Sequence, residues 1–311
     1  MTGLATGRPA EPDAPAEPDA MGPGSAESSL VEPSLAERAI SVRERIIEMC
    51  ATTGGGHLGG GMSLVEILLV LYFEVLRNDP ARPTDPARDV LLLSKGHGAL
   101  CLYSVLAERG YFPVSRLAEY AQPGGQFMAH PNPELPGVEM PSGALGHGLP
   151  VGVGVALDAR LSGTPRRTVV VLGDGELQEG SVWEAAMSAS SLGLSGLTAV
   201  VDRNRLQITG DTEDVVGLEP LDERWRAFGW TVRQVDGHHP AQLRHALTAA
   251  PEDGRPVVVL ARTVKGRGLP HVEGMAKSHF ARLGDRQRRQ ALASVRRGAQ
   301  PATARLGAGP A

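Results

Sequence analysis

Apolar residues recur at Leu35, Ala39, Val42, Ile46 and Met49, the period of one helical face, so a first helix is expected from about Leu35 to the glycines of "TTGGGHLGGG". The tetrad "SLVE", Ser63 to Glu66, has the form of a capping box and predicts a second helix through about Leu76. A third helix is expected after "SKGHG", ending at Gly110, and a fourth from near "GALGHGL". The pattern then changes to strand and helix in alternation. Strands are expected at "TVVVL" from Thr168, "LTAVV" from Leu197, "WTVRQV" from Trp230 and "RPVVVLART" from Arg255, with helices from about Ser181 and over "PAQLRHALTAA". Such alternation predicts the α/β class: a doubly wound, mostly parallel sheet with helices on both faces. The carboxyl ends of the strands read "GDG", "DRN", "DGHH" and "TVKG". Polar, glycine-rich residues therefore gather at one sheet edge, where doubly wound folds bind ligands.

The two ends of the chain break this pattern. Residues 1–33 hold six acidic side chains and one Arg among Pro, Ala and Gly, too little apolar area to offset ordering entropy, and read as a disordered acidic arm. From Ala281 onward the chain holds seven Arg and one Asp; "RQRRQALASVRR" starts a short helix that then frays, so 286–311 read as a basic, largely disordered tail. The interval 34–285 has neither repeat nor linker and is expected to be one domain.

Composition narrows the function. With 311 residues, 41% of them hydrophobic, the chain can bury a core. Its net charge of −4 supplies no basic field for nucleic acid, and small-molecule substrates are expected. The longest apolar run, "ILLVLYF", lies between Glu66 and Glu74 and is too short to span a bilayer, so no membrane partner is expected. Cys50 and Cys101 have no CxxC spacing and read as reduced, buried thiols. With no signal-peptide pattern, a cytoplasmic enzyme fits these features.

Asp174 sits between two glycines at the mouth of an apolar strand. A loop carboxylate is commonly a turn former or helix cap. Asn204, however, follows by 30 residues, about one strand-helix-strand unit, so the two side chains can converge. Two oxygen donors suit a hard divalent cation such as Mg2+, which completes its shell with phosphate and water. A phosphate-bearing cofactor is thereby implied, with the Gly175 amide near a helix start available to it. His57, His97, His130 and His147 lie in Gly- or Pro-flanked loops ahead of helices, and His279 follows in "AKSHF". A structural imidazole is the ordinary reading of each; with no HExxH or Cys/His spacing for zinc, neutral imidazoles that donate to phosphate or exchange protons with hydroxyls are the better one.

"GDGELQEG" followed by Asn204 looks like the thiamine diphosphate motif. Together with "GGGHLGGGMSLVEIL", "LLLSKGHGALCLYSVLAERGYF", "HPNPELPGVEMPSGALGHGL", "DRNRLQITG" and "ARTVKGRG", it resembles the amino-terminal half of transketolase, in the form bacteria encode as a separate subunit. The resemblance covers nearly all of 35–285 and implies the diphosphate-binding domain of the thiamine diphosphate fold. It implies thiamine diphosphate and Mg2+ as cofactors, with the metal on Asp174, Asn204 and the main-chain carbonyl of Leu206. His97 and His279 match histidines near the diphosphate; His57 and His130 match those facing substrate hydroxyls. The catalytic set implied is thus His57, His130, His97 and Glu179, the last matching a glutamate at the subunit interface that links paired active sites. Glu184 is a weaker candidate for that link. Leu145, Gly146 and Gly148 match the loop over the cofactor, and Gly173, Gly175 and Glu176 complete the cofactor-binding set. Lys265 matches a basic position near the site mouth, an exposed loop lysine being its alternative. In "EGMAKSHFARL", Gly274, Ser278 and Phe280 replace an expected Asn, Trp and Gly, and the glycine-rich loop of His57 reads as flexible.

The family's second domain, which carries the glutamate that activates the cofactor, is not in this sequence. The resemblance therefore implies a separately encoded carboxy-terminal partner, a heterotetramer, sugar phosphate substrates and ketol transfer only with the partner. The alternatives are a deoxyxylulose phosphate synthase-like or 2-oxo acid dehydrogenase-like component, or a noncatalytic regulatory subunit that keeps the fold.

Overall fold

The structure is a computed structural model that describes residues 2–3, 32–52, 54–251 and 253–298. The acidic arm expected over 1–33 lies almost wholly outside the described residues, as does the tail beyond 298. The unit from Pro33 onward contains every element below.

Helix α1 (Leu35–Cys50) begins at a capping box: the Ser34 hydroxyl accepts from the Glu37 amide, and the Glu37 carboxylate accepts from the Ser34 amide at 2.8 Å. The chain continues through α2 (Leu58–Ser63), α3 (Val65–Val70), a π-turn over Leu71–Val75, β1 (Val90–Leu93), α4 (Ala99–Arg109) and α5 (Gly148–Leu161). Then come β2 (Thr168–Gly173), α6 (Gly180–Ser191), β3 (Leu197–Arg203), the short α7 (Thr212–Val215) and α8 (Leu221–Ala227). The last elements are β4 (Thr231–Asp236), α9 (Pro240–Thr248), β5 (Val257–Arg262) and α10 (Asp285–Gly298).

All the strand pairings are parallel, in the order β1-β2-β3-β5-β4. Parallel strands covered on both faces must be apolar throughout, and successive residues take opposite sides. Val169, Val171, Val200 and Val259 enter the core shared with α1, α3, α4 and α9, whereas Val170, Leu172, Val201 and Val258 enter the core shared with α5, α6 and α8. The two cores are the layers of a doubly wound sheet. Among the described residues, no helix is long and apolar enough to cross a membrane. Cys50 and Cys101 are buried free thiols.

Four features differ from the sequence reading. The short helices α7 and α8 between β3 and β4 were not expected. The edge strand β1 was not expected, because "VLLL" is a short uniform apolar run without alternation. The capping box at Ser63 does not form: the Ser63 hydroxyl donates to Asp202 at 2.6 Å, and the helical run already begins at Leu58. The short helix expected at the start of the tail is the full helix α10, and it packs rather than frays: Val295 is buried, and Ala291 and Leu292 lie against the core of α1.

Candidate active site

The carboxyl ends of β2 and β3 lie side by side, with Gly173 in register with Asp202, so Asp174 and Asn204 both emerge at the sheet edge. There they line one cleft of about 400 Å3 with Leu206. Asp174 is only 2% exposed. Its Oδ1 accepts from the Gly175 amide at 2.9 Å, and its Oδ2 accepts from the Arg205 amide and faces Arg203 Nη1 at 3.3 Å. Burial and the neighbouring Asp202 carboxylate nonetheless push the Asp174 carboxyl above its usual range. A buried carboxylate under that pressure is relieved by a cation. Asn204 Oδ1 folds back to accept the Leu206 amide at 3.1 Å, which fixes the orientation of the side chain and leaves a second lone pair.

A cation already stands at this point. Lys265, at the end of β5, is 2% exposed and donates from Nζ to the Leu206 carbonyl at 2.8 Å, with His279 Nδ1 at 3.2 Å. It is not an exposed loop lysine. Burial and Lys95 bring its ammonium down to about 8. Lys95 itself follows β1 and pairs with the fully buried Asp202.

The four expected histidines form one cluster. The His57 ring lies 5.3 Å from those of His130 and His279 and 5.8 Å from that of His97, and the His97 and His279 centroids are 5.2 Å apart. Among the described residues, His57 Nδ1 is buried with no hydrogen-bond partner. Burial first, then His130 and the two lysines, hold His57 at about 4. Burial and Lys265 do the same for His279, also at about 4, and burial with Lys95 keeps His97 well below the ordinary imidazole range. Three neutral imidazoles therefore face the cleft at neutral pH.

The glycines around His57 serve close approach. Gly56 and Ala281 exchange backbone hydrogen bonds at 2.8 Å in each direction, tying the His57 and His279 loops together. A Cβ on Gly59 would stand 2.3 Å from Ser278 Oγ and 2.8 Å from its carbonyl oxygen, so the loop bearing His279 packs directly on the start of α2. Ser278, where the resemblance expected a Trp, fits against that bare backbone.

The cleft also takes in Leu145, Gly173, Gly175, Glu176 and Glu179, the last exposed at the start of α6. Gly146 and Gly148 stand behind its lining beside Leu145: the Gly146 amide donates to Glu176 Oε1 at 2.9 Å and the Gly148 amide to Ser94 Oγ at 3.0 Å. Glu176 is likewise committed, accepting from Ser94, Gly146 and the Gly173 amide, so it fastens three backbone segments beneath the site. The Gly175 amide is already spent on Asp174. "DGHH" does not reach the cleft, because β4 lies outside β5 at the sheet edge. His147 is exposed, bonded to the Leu145 carbonyl. Lys95 and Gln207, which line the cleft, were missed; only the basic residue in "SKGHG" gave a signal.

Among the described residues, no three His, Cys, Asp or Glu side chains converge to hold a metal, so an ion here would have to draw on Asn204 and a carbonyl as well as Asp174. That donor set is all oxygen and fits Mg2+ beside phosphate.

Comparison with known proteins agrees. Residues 36–303 match the family model "Transketolase, thiamine diphosphate binding domain". The chain is 43% identical over 247 residues to an apulose-4-phosphate transketolase subunit of Actinobacillus succinogenes, covering 79% of this chain and 90% of the relative. It is 39% identical over 263 residues to the 6-deoxy-6-sulfo-D-fructose transketolase subunit SqwG of Clostridium sp., covering 84% and 96%. The crystal structure of a transketolase from Campylobacter jejuni superposes with a TM-score of 0.78 at 30% identity over 84% of this chain; the chain spans only 42% of that structure. This chain belongs to the transketolase family, as its thiamine diphosphate-binding domain.

Proposed function

We propose that the chain is the amino-terminal subunit of a two-component, thiamine diphosphate-dependent transketolase, moving a two-carbon ketol unit from a ketose phosphate to an aldose. A separately encoded carboxy-terminal subunit completes it in a cytoplasmic heterotetramer. The observation that carries this reading is a cleft that brings Asp174, Asn204 and Leu206 together with four imidazoles, in a chain that spans nearly all of two transketolase subunits and less than half of a whole transketolase. Both relatives are named for unusual sugars, and a specialised ketose is our reading of the donor.

In this reading Asp174, Asn204 and the Leu206 carbonyl hold Mg2+. Lys265, His97 and His279 supply the positive and hydrogen-bonding wall for the diphosphate. When bound, thiamine diphosphate supplies the carbanion that takes up and passes on the two-carbon unit. His57 and His130 face the sugar hydroxyls; a neutral His57 both accepts and donates a proton there. Glu179, exposed at the α6 start, faces the partner. Gly173, Gly175 and Leu145 shape the floor, and Glu176 holds it from beneath.

The test mixes the full chain with its partner subunit, Mg2+ and thiamine diphosphate and follows turnover of a ketose phosphate. Turnover requires both subunits, and Asp174→Ala lowers it at least about 100-fold, more than loss of a group behind the metal ligands costs. Full activity in Asp174→Ala rejects the metal assignment. A preference for pyruvate over ketose donors would place the chain among the other thiamine enzymes.

A further inference from the structure

Glu66 lies on α3, away from the cleft, yet it is tied to the residue at the heart of it. Its carboxylate takes a two-pronged contact from Arg43 of α1, with Nη1 to Oε1 at 2.8 Å and Nη2 to Oε2 at 3.0 Å. Its Oε2 also accepts from His238 Nδ1 at 2.9 Å. Burial pushes the Glu66 carboxyl upward, but the His238 hydrogen bond and the Arg43 guanidinium outweigh it and bring it down to about 2. Glu66 is an anion at working pH.

Each of its partners then grips one side of the same loop. His238 Nε2 accepts from the Val264 amide at 2.9 Å, and Arg43 Nε donates to the Arg267 carbonyl at 3.3 Å. Lys265 sits between those two backbone groups. The imidazole chemistry gives Glu66 a specific role. To accept from Val264 the ring must keep Nε2 bare, so its hydrogen must be on Nδ1, and a carboxylate at Nδ1 selects that tautomer. Without the carboxylate the ring is free to carry its hydrogen on Nε2, facing the amide, and the buried Arg43 loses its counter-charge.

We propose that Glu66 is a positioning residue which, through His238 and Arg43, clamps the Val264–Arg267 loop at both ends and so holds the Lys265 ammonium beside the Leu206 carbonyl and His279. The consequence for activity rests on the reading of Lys265 as part of the cofactor site; the clamp itself does not.

The experiment compares Glu66→Ala, His238→Ala and His238→Gln in the full chain. Amide hydrogen exchange at Val264 and the rate of Lys265 labelling by an amine reagent report the loop, and exchange over Val169–Leu172 reports the fold. His238→Ala and Glu66→Ala are expected to raise Val264 exchange about tenfold, the worth of one hydrogen bond, and to speed Lys265 labelling, with the β2 amides unchanged. His238→Gln, whose side-chain oxygen reaches the place of Nε2, restores the parent rates, which a general loosening of the fold would not allow. If Glu66→Ala does not fold, the His238 pair carries the test. Unchanged Val264 exchange and Lys265 labelling in His238→Ala overturn the clamp. Calorimetric titration of the same proteins, with partner subunit present, by thiamine diphosphate and Mg2+ separates the two readings: weaker binding in His238→Ala supports both, whereas a loosened loop with undiminished binding upholds the clamp and rejects Lys265 as a cofactor contact.

Discussion

A histidine packed among other imidazoles and two lysines gains nothing from a proton, and His57 shows how that serves chemistry and constrains stability together. Burial and its cationic surroundings depress it from 6.5 to about 4, so at neutral pH it faces the cleft as a base with a hydrogen to give. The unfolded chain protonates this ring near 6.5, the folded chain only near 4, so between those values the unfolded state binds more protons. The contribution is therefore present in full above 6.5 and is lost as pH falls toward 4. Urea unfolding of the full chain across that interval should show stability falling with pH, and falling less steeply in His57→Asn, which removes one titrating ring. Identical slopes in the two proteins would mean that His57 is not held neutral. Asp174 is the opposite case, a carboxylate raised by burial and by Asp202, which makes an added cation welcome at the same place.

Among the elements, α10 was expected as a short helix within a tail and has a definite role in the structure. Val295 is buried against α1, and Ala291 and Leu292 pack beside it, while the Arg288–Glu48 and Arg296–Glu44 pairs lie at the surface and add little. Removing everything after Gly284 should lower the unfolding free energy by about 2–3 kcal/mol, the worth of roughly one fully buried aliphatic side chain and its partial neighbours, read as an earlier urea midpoint. An unchanged midpoint would return α10 to the status of a tail. Its seven-arginine neighbourhood hid this, because an apolar stripe of three residues is faint among so many charges. Four of the strands and most of the helices between the ends were legible, the strands because apolar runs end abruptly in "GDG", "DRN" and "TVKG"; α7 and α8 were not. Adjacency of β2 and β3 followed from the length of one unit between Asp174 and Asn204. Tertiary partners were beyond reach: Ser63 looked like a cap but bonds Asp202, and Lys95 could not be paired with Asp202 before β1, β2 and β3 were in register. The segment "DGHH" was grouped with the other strand ends because nothing in it says that β4 lies outside β5.

At the scale of the molecule, the cleft sits along one edge of the sheet and opens outward, and the side chains on its rim are not those of a finished surface. Ile208 is 70% exposed, and Phe280, whose ring meets that of His57, and Met128, two residues before His130, are about half exposed. On the proposed reading, a cofactor bound here would touch this chain through its diphosphate and metal end, which is the strongly hydrated end, so much of the attraction would be offset by desolvation. Its apolar rings would find one wall only. Affinity for the chain alone should therefore be low and should rise when a partner covers the open side. A ligand present at about 100 times its dissociation constant stabilises the folded state by about 2.7 kcal/mol, which for a domain of this size is a rise of roughly 5–10 °C in melting temperature. With partner subunit, Mg2+ and thiamine diphosphate at such a concentration, a shift of that order is expected, abolished by a chelator that removes Mg2+. The chain alone at the same concentrations should shift by less than about 1 °C, because the same ligand is then far below its dissociation constant. A large, chelator-sensitive shift in the chain alone would show that one subunit suffices to enclose the cofactor, and the division of the site between two chains would have to be given up.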